Sequence, residues 1–458
     1  MSKHNTRVVY YIIGDNGASA EGGVNGCFNE MGYFNGLQAF ETPEYLGARL
    51  DKLGGPESYN HYAVGWAHAM NTPYQWTKQV ASHFGGTRNG TIVHWPNGIK
   101  AKGELRSQFT HVIDVAPTIL EAAGIPEPVE VNGVHQDPLE GVSMLYAFDD
   151  ANAAEQHETQ YFEMFGNRGI YHKGWTAVTK HGTPWLMMSE KRPALDDDIW
   201  ELYDTTKDWS QAHDLAKEMQ GQPQLAQKLH ELQRLWLIEA SRYKVLPIDD
   251  RLIEKINPDT AGRPVLIKGK TQLLFGGMGH LSENCVLNIK NKSHSVTAEI
   301  VVPEQGAEGV IIAQGANIGG WSLYAKGGKL KYCYNWSGLQ HFYVEASTPI
   351  PAGEHQVRME FAYAGGGLGK GGKVTLYTDG QKVGEGDIAA TLAMIFSADD
   401  GLDVGEDTGA PVSEDYGSHG NAFNGRVKGV QLAIAEAAEN SDHLISPEEA
   451  IRMAMARQ

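Results

Sequence analysis

The chain has 458 residues, of which 41% are hydrophobic and 21% charged, as expected of a globular protein with two or three domains. Its 56 acidic residues outnumber its 38 basic ones, and the net charge of −18 gives no electrostatic support for a nucleic-acid partner. No apolar run reaches membrane-spanning length, and the three cysteines (Cys27, Cys285 and Cys333) lack the spacing of a disulfide framework or a zinc site.

The first predicted element is a strand at Val8–Ile13, which reads VVYYII and runs into Gly-Asp-Asn-Gly. Six consecutive apolar or aromatic residues predict a strand buried on both faces, as in a parallel sheet. Ligands of open α/β sheets bind beyond the carboxyl ends of the strands, where Asp15 and Asn16 would stand. Their oxygens suit Ca²⁺ or Mg²⁺, although a simple turn explains the same residues when they are taken alone. The apolar run is too short for a signal peptide, and the sequence predicts no cellular compartment.

Further along, helical spacing predicts a helix over Pro43–Leu53 with Thr42 as its cap. Residues 61–90 mix aromatic residues, histidines and glycines, a composition typical of a loop that lines a substrate site. After a second short strand at Thr91–Trp95, a helix is expected over residues 116–124, with His111 and Asp114 as its capping residues.

The end of the first domain, residues 1–250, is expected to hold a small antiparallel sheet. Alternating residues predict a strand over Ile170–Val178 and another at Trp200–Tyr203. Apolar residues at helical spacing then mark an amphipathic helix, whose stripe consists of Leu225, Leu229, Leu232 and Trp236.

Composition changes after residue 250. Residues 251–264 are polar, with two prolines, and are predicted to be a linker. Residues 265–437 predict a β-sandwich or jelly roll, because short strands alternate with two-residue turns such as Gly327-Gly328 and Asp379-Gly380. The expected strands are Gly309–Ala313, Trp321–Ala325, Lys329–Tyr334, His341–Ala346, Gln356–Ala362, Val374–Thr378 and Arg426–Ala433. Residues 438–458 are predicted to form a helical tail.

Several motifs follow one another in an order that resembles a known family. They are GDNG, a lysine ahead of GGTR, a strand ending in Trp-Pro, HVIDVAPTILEAAGIP, EGVSM and WELYDTTKDWSQAHDLA. Together they look like the C-terminal part of a sulfatase, most similar to the bacterial arylsulfatases of the alkaline phosphatase superfamily. The resemblance covers about residues 7–250 and implies an α/β fold for this part. The rows WSLY, KLKYCYNW and HFYV in the second domain resemble a concanavalin- or laminin-G-like accessory domain more weakly.

The resemblance implies a role for individual residues. Asp15 and Asn16 match two ligands of the sulfatase metal, for which Ca²⁺ is expected ahead of Mg²⁺. Lys78 matches the lysine that contacts the sulfate group. His83 is a candidate catalytic residue, with packing or substrate lining as equal alternatives, and Arg88 is expected to be structural.

The nucleophile of the family is not found in this chain. Sulfatases use a formylglycine made from the first residue of a C/S-x-P-x-R motif, and no cysteine or serine here begins that motif. The chain is therefore expected to be a truncated or split sulfatase that is inactive alone, with a complementary N-terminal segment as a partner and an aryl or sugar sulfate ester as substrate. One alternative is a non-catalytic remnant or glycan-binding module that acts through the β-domain. Another is a phosphoester or phosphonate hydrolase of the same superfamily.

Overall fold

The computed structural model describes residues 7–186, 191–251, 255–262 and 264–434, and the chain divides into two compact units. Unit 1 comprises Met1–Val24 and Ala63–Asp250, and unit 2 comprises Asn25–Tyr62 and Arg251–Gln458. Residues 25–62, which the sequence places in the first domain, thus belong to the second unit. The helical tail predicted for residues 438–458 lies outside the described residues.

The helices are short, with one exception. They are α1 (Glu30–Phe34), α2 (Pro43–Gly47), α3 (Val64–Asn71), α4 (Phe84–Thr87), α5 (Val115–Ala123), α6 (Leu145–Phe148), α7 (Pro223–Arg242) and α8 (Pro258–Ala261). Thr42 caps α2 as predicted, because its Oγ1 accepts a hydrogen bond of 3.2 Å from Tyr45 N. The helix predicted over Pro43–Leu53 nevertheless ends at Gly47, and a separate 3₁₀ turn follows at Leu50–Lys52.

In unit 1 the strands are β1 (Val9–Ile12), β2 (Thr91–His94), β3 (Glu130–Val131), β4 (Val134–His135), β5 (Thr159–Met164), β6 (Asn167–His172), β7 (Trp175–Thr179) and β8 (Trp200–Asp204). In unit 2 they are β9 (Thr271–Phe275), β10 (His294–Val302), β11 (Gly309–Ala316), β12 (Gly319–Lys326), β13 (Lys329–Trp336), β14 (Gln340–Pro349), β15 (Gly353–Tyr363), β16 (Lys370–Thr378), β17 (Gln381–Ala390), β18 (Leu402–Val404) and β19 (Arg426–Ile434).

The prediction of a strand buried in a parallel sheet at Val8–Ile13 is wrong. Here β1 pairs antiparallel with β2 alone, and the two strands form an isolated ribbon. Most of its apolar residues face solvent, with Tyr11 62% and Ile92 59% exposed. A six-residue apolar run is typical of a strand that packs against other elements on both faces. Among the described residues, no further strand pairs with the edges of this ribbon.

The antiparallel sheet at the end of unit 1 has four strands in the order β5-β6-β7-β8. The single strand predicted over Ile170–Val178 is in fact the hairpin β6–β7, because Lys173 and Gly174 both take left-handed backbone angles and turn the chain. The predicted amphipathic helix is confirmed as α7. Its four stripe residues are buried in one core with residues of β6, β7 and β8.

Unit 2 is built on two antiparallel sheets, one of six strands (β17-β16-β15-β10-β19-β9) and one of five (β14-β13-β12-β11-β18). Inward-facing residues of both sheets share one core, as in a β-sandwich. Burial alternates along β10, for example, where Val296, Ala298 and Ile300 are buried between more exposed neighbours.

All seven strands predicted for the β-domain are found, at β11–β16 and β19. Both predicted two-residue turns have left-handed angles at each position, as hairpin turns of this kind require. The sequence did not single out β9, β10, β17 and β18. The described part of the predicted linker packs onto unit 2, where buried Asn257 donates a hydrogen bond of 3.0 Å from Nδ2 to Ala393 O.

Residues 25–62 are joined to the sandwich by buried polar contacts. The Nδ2 of Asn29 donates to Ile318 O at 2.9 Å and to Ser337 O at 2.7 Å. Met31 is buried with Ala316 and Ile318 in a small apolar cluster. This early segment is therefore an integral part of the second unit. Among the described residues, no helix combines the length and apolarity that crossing a membrane requires.

Candidate active site

The candidate metal ligands lie in the turn that follows β1. Asp15 is exposed and Asn16 is half-buried. Hydrogen bonds hold the turn on both sides, from Ile13 N to Gly90 O at 3.2 Å and from Gly17 N to Gly86 O at 2.9 Å. The predicted ligands thus stand at the end of their strand, on a backbone fixed against residues 86–90.

Three glycines allow this close approach. A Cβ atom on Gly17 would lie 1.7 Å from Gly85 O, so any side chain there would collide with backbone. On the other side of the same segment, a Cβ on Gly85 would lie 2.1 Å from Gln75 O and one on Gly86 would lie 2.2 Å from Val80 O. The Gly85-Gly86 pair is therefore packed between the Asp15–Asn16 turn and the loop that carries Lys78.

The backbone of Lys78 is hydrogen-bonded to the chain that follows the Asp15–Asn16 turn. Its backbone N donates to Ala18 O at 3.0 Å. Asn71 strengthens this junction, because its Oδ1 accepts from Ala18 N at 2.9 Å and its Nδ2 donates to Trp76 O at 3.2 Å. The structure therefore brings the backbones of the predicted metal-binding and sulfate-binding elements together.

The loop around Lys78 is strained. Trp76 and Gln79 have φ angles of 68° and 76°, in the left-handed region that costs a residue with a side chain about 1 kcal/mol or more. Such angles persist only where the surroundings impose them, and here the glycine pair and Asn71 do so. Backbone strain of this kind clusters at active sites and ligand-binding loops, which makes the loop around Lys78 a candidate functional loop.

The side chain of Lys78 forms an ion pair that the sequence did not predict. Its Nζ lies 2.9 Å from Glu21 Oε2, with 33% of the lysine side chain and 10% of the glutamate side chain exposed. Ser19 Oγ and Gln79 Nε2 also donate to this carboxylate, at 2.7 Å and 2.6 Å. Burial acts to raise the pKa of Glu21, but the hydrogen bonds and the charge of Lys78 hold that pKa below its ordinary value.

His83 is completely buried, behind the Lys78 loop. Its Nε2 lies 3.2 Å from Glu201 Oε2 and its Nδ1 lies 2.9 Å from Ser82 Oγ. The pKa of Glu201 is lowered, since hydrogen bonds from His83 and Tyr203 outweigh the effect of burial. Both ring nitrogens of His83 thus have protein partners, and its ring packs edge-on against Trp76.

The other residues singled out in the sequence have structural contacts. Arg88 donates from Nη1 to Trp209 O at 2.8 Å, and its guanidinium carbon lies 5.0 Å from the centre of the Phe84 ring. His111 and Asp114 form a reciprocal cap ahead of α5, in which Asp114 Oδ2 accepts from His111 N at 2.7 Å. Asp114 also accepts from the buried ring of His157 at 2.8 Å. These contacts agree with the capping role expected for His111 and Asp114.

The donor set of the turn fits part of a Ca²⁺ site. A carboxylate and an amide oxygen side by side are the hard donors that this ion prefers. Among the described residues, Asp15 belongs to no cluster of three acidic, histidine or cysteine side chains with ligand atoms close together. Asp15 and Asn16 therefore supply two oxygens of the six to eight that the ion takes.

All three cysteines belong to unit 2, and two of them, Cys27 and Cys333, are buried. Burial raises the pKa of Cys333 to about 12, so its thiol stays protonated at neutral pH.

Two polar residues near the candidate site, Glu21 and Glu201, were not identified from the sequence. Glu21 lies in a glycine-rich loop, and nothing in its spacing indicates that it folds against Lys78, 57 residues later. Glu201 gave a weak signal, because it interrupts the apolar residues of a predicted strand, Trp200–Tyr203.

Comparisons with known proteins place these features in a family context. Residues 1–125 match the family model described as Sulfatase, and residues 85–237 match the model described as N-sulphoglucosamine sulphohydrolase, C-terminal.

Two curated relatives match parts of the chain. An uncharacterized sulfatase of Schizosaccharomyces pombe is 29% identical over 219 residues, which are 46% of this chain and 36% of that protein. An arylsulfatase of Klebsiella aerogenes is 31% identical over 106 residues, 22% of this chain and 23% of that protein. The matched part of the chain thus spans 36% of the first relative and 23% of the second.

A solved structure described as a complex with its substrate D-glucosamine-2-N,6-O-disulfate also matches. It is 21% identical, with a TM-score of 0.27, over 36% of this chain and 31% of that chain. With so low a TM-score this structure carries no argument, and the match to the sulfatase family rests on the sequence comparisons.

Proposed function

Because this chain belongs to the sulfatase family, we propose that it provides the metal-binding and sulfate-binding part of a sulfuric ester hydrolase active site. The observation that carries the proposal is the junction at Ala18. Its carbonyl accepts from Lys78 N at 3.0 Å, which ties the lysine loop to the Asp15–Asn16 turn. A cation site and a lysine on adjoining turns form a receptor for the negatively charged sulfate group of the ester.

In this proposal Asp15 and Asn16 are the ligands and Ca²⁺ is preferred over Mg²⁺, because the exposed turn leaves room for a large shell that water completes. When bound, the ion would act as a Lewis acid on a sulfuryl oxygen. The ammonium of Lys78 stabilises the negative charge that develops on the sulfate and the leaving oxygen. Glu21 orients that ammonium through the 2.9 Å ion pair.

His83 is proposed to act from behind the loop. With both nitrogens engaged and no exposure, its contacts favour the packing alternative over direct proton transfer to substrate. The ring supports Trp76, two residues before Lys78, and so helps to set the position of the lysine.

We further propose that a complementary sulfatase segment supplies the nucleophile, as a formylglycine. The ribbon β1–β2 is the proposed contact, since most of its apolar side chains are exposed, including Tyr11 at 62% and Ile92 at 59%. Exposed strands with apolar faces and unpaired edges are surfaces that associate with further strands. The substrate class is an aryl or sugar sulfate ester; a phosphoester or phosphonate fits the same charges and is the competing substrate to be measured.

A second function is proposed for unit 2. Its sandwich has a complete apolar core of its own, drawn from residues 274–432, and would act as a concanavalin- or laminin-G-like accessory domain that binds glycan. That module would operate whether or not unit 1 takes part in hydrolysis.

The proposal is tested by complementation. The purified chain should not hydrolyse 4-nitrophenyl sulfate above background, with or without CaCl₂. Mixed with the N-terminal half of a related arylsulfatase, it should gain turnover. In that complex Asp15→Ala should abolish activity, while Lys78→Ala should lower kcat more than it changes KM, because its contact strengthens in the transition state. Saturable hydrolysis by the chain alone, or full activity in Lys78→Ala, would contradict the proposal.

A further inference from the structure

We propose that Trp76, Trp185 and Lys180 form the subsite for the organic ring of the sulfate ester. The inference rests on the proposed function, because it takes Lys78 as the residue that binds the sulfate group. Trp76 lies two residues before Lys78 on the same strained loop. The proposal assigns the organic group of the ester to this aromatic pair because Trp76 and Lys78 share one short loop.

The two indoles form one aromatic surface. Their ring centres lie 6.1 Å apart with planes inclined at 29°, the geometry of a stacked pair. Both residues are half-buried. The Nζ of Lys180 lies 5.0 Å from the centre of the Trp76 ring and donates to Thr183 Oγ1 at 3.0 Å. The surface thus combines flat apolar area with one positive charge.

Trp185 follows a segment that buried hydrogen bonds of His181 hold in place. His181, between Lys180 and Trp185, donates from its backbone N to Asn167 Oδ1 at 2.9 Å. Its buried ring lies between two carboxylates, with Nδ1 3.0 Å from Asp198 and Nε2 3.2 Å from Asp250. Trp185 then sits in the 3₁₀ turn Pro184–Leu186. An aromatic wall fixed in this way loses little conformational entropy when a ring packs on it.

The chemistry of this surface selects a class of ligand. Indole faces bind rings that present an apolar face, and a nearby ammonium favours a ring that carries negative charge. In a chain with a net charge of −18, the ammonium of Lys180 near the Trp76 ring adds positive charge to this aromatic surface. Aromatic rings and the apolar faces of pyranoses share the required shape, so both are tested.

The experiment is isothermal titration calorimetry of the full chain in excess CaCl₂, with inorganic sulfate, 4-nitrophenyl sulfate and N-acetylglucosamine 6-sulfate as probes. In Trp185→Ala we expect at least one ester to bind about three- to tenfold more weakly, while inorganic sulfate changes by less than about twofold. Trp185→Phe should recover most of the loss. Trp66→Ala, on α3 and 67% exposed, is the matched control and should bind all three probes normally.

The outcomes separate the two proposals. Equal weakening of inorganic sulfate and both esters in Trp185→Ala, or unchanged binding of both esters, overturns the subsite. Unchanged binding of inorganic sulfate in Lys78→Ala overturns the proposed function instead. The ester that loses more affinity in Trp185→Ala identifies the ring as aryl or sugar. A thermal unfolding curve for each variant, compared with Trp185→Phe, shows that the protein tested is folded.

Discussion

One added methyl group tests whether the Asp15–Asn16 turn depends on its contact with the Gly85-Gly86 segment. In Gly17→Ala the new Cβ would lie 1.7 Å from Gly85 O, whereas such contacts are essentially never shorter than 3.0 Å. The two backbones must therefore separate by about 1.3 Å, the difference between these distances. The hydrogen bond from Gly17 N to Gly86 O, now 2.9 Å, cannot survive that displacement.

The expected cost follows from these two effects. Loss of one backbone hydrogen bond destabilises by about 1 kcal/mol, and the strain of an overpacked contact between backbones adds about 1–3 kcal/mol. We expect Gly17→Ala to lower the free energy of unfolding of unit 1 by about 2–4 kcal/mol. The same displacement moves Asp15 and Asn16 away from the Lys78 loop, so binding of inorganic sulfate should weaken as well.

Urea unfolding of the full chain, followed by tryptophan fluorescence, measures the effect. Gly65→Ala is the matched control, because a Cβ there meets nothing within 4 Å and the residue lies in α3. Alanine should stabilise that helix by up to about 1 kcal/mol. A Gly17→Ala protein whose stability lies within about 0.5 kcal/mol of wild type would refute the close docking of the turn.

Three more predictions follow from the described contacts. Glu21→Ala should destabilise unit 1 by about 1–3 kcal/mol in urea unfolding, because the side chains of Gln79 and Lys78 lose the carboxylate that accepts from them. The control Glu104→Ala, which breaks the exposed ion pair with Arg106, should cost under about 0.5 kcal/mol. An equal loss of stability in the two variants would contradict this prediction. Burial lowers the pKa of His294 to about 4, so its neutral form stabilises the sandwich above pH 6.5 and that stability falls as the pH drops towards 4. His294→Phe should remove this part of the pH dependence, and an unchanged profile would count against it. A fragment of residues 265–437 should show a β-type circular dichroism spectrum and unfold cooperatively, because the main apolar core lies within it. Its free energy of unfolding should be lower than that of unit 2, because the fragment lacks the contacts of residues 25–62. A disordered fragment would show that residues 25–62 are required for folding.

Local patterns in the sequence were enough for elements whose neighbours are close along the chain. The hairpins of the sandwich follow from alternation and two-residue turns, and α7 follows from its apolar stripe. The exposure of β1 could not be predicted, because an apolar run favours burial but does not show which elements pack against the strand. Glu21 shows the same limit at the site, since only tertiary folding brings its carboxylate to Lys78.

The division of the chain into units has a consequence for the timing of synthesis. Asn29 belongs to unit 2, but one of its buried partners, Ser337, follows 308 residues later. At about 5–20 residues per second, a ribosome needs about 15–60 s to add that partner after Asn29. Met31 is likewise synthesised long before Ala316 and Ile318, with which it packs in the folded protein. During this interval residues 25–62 must stay soluble without the sheet they will join, and a nascent-chain chaperone that shields them should raise the yield of folded protein.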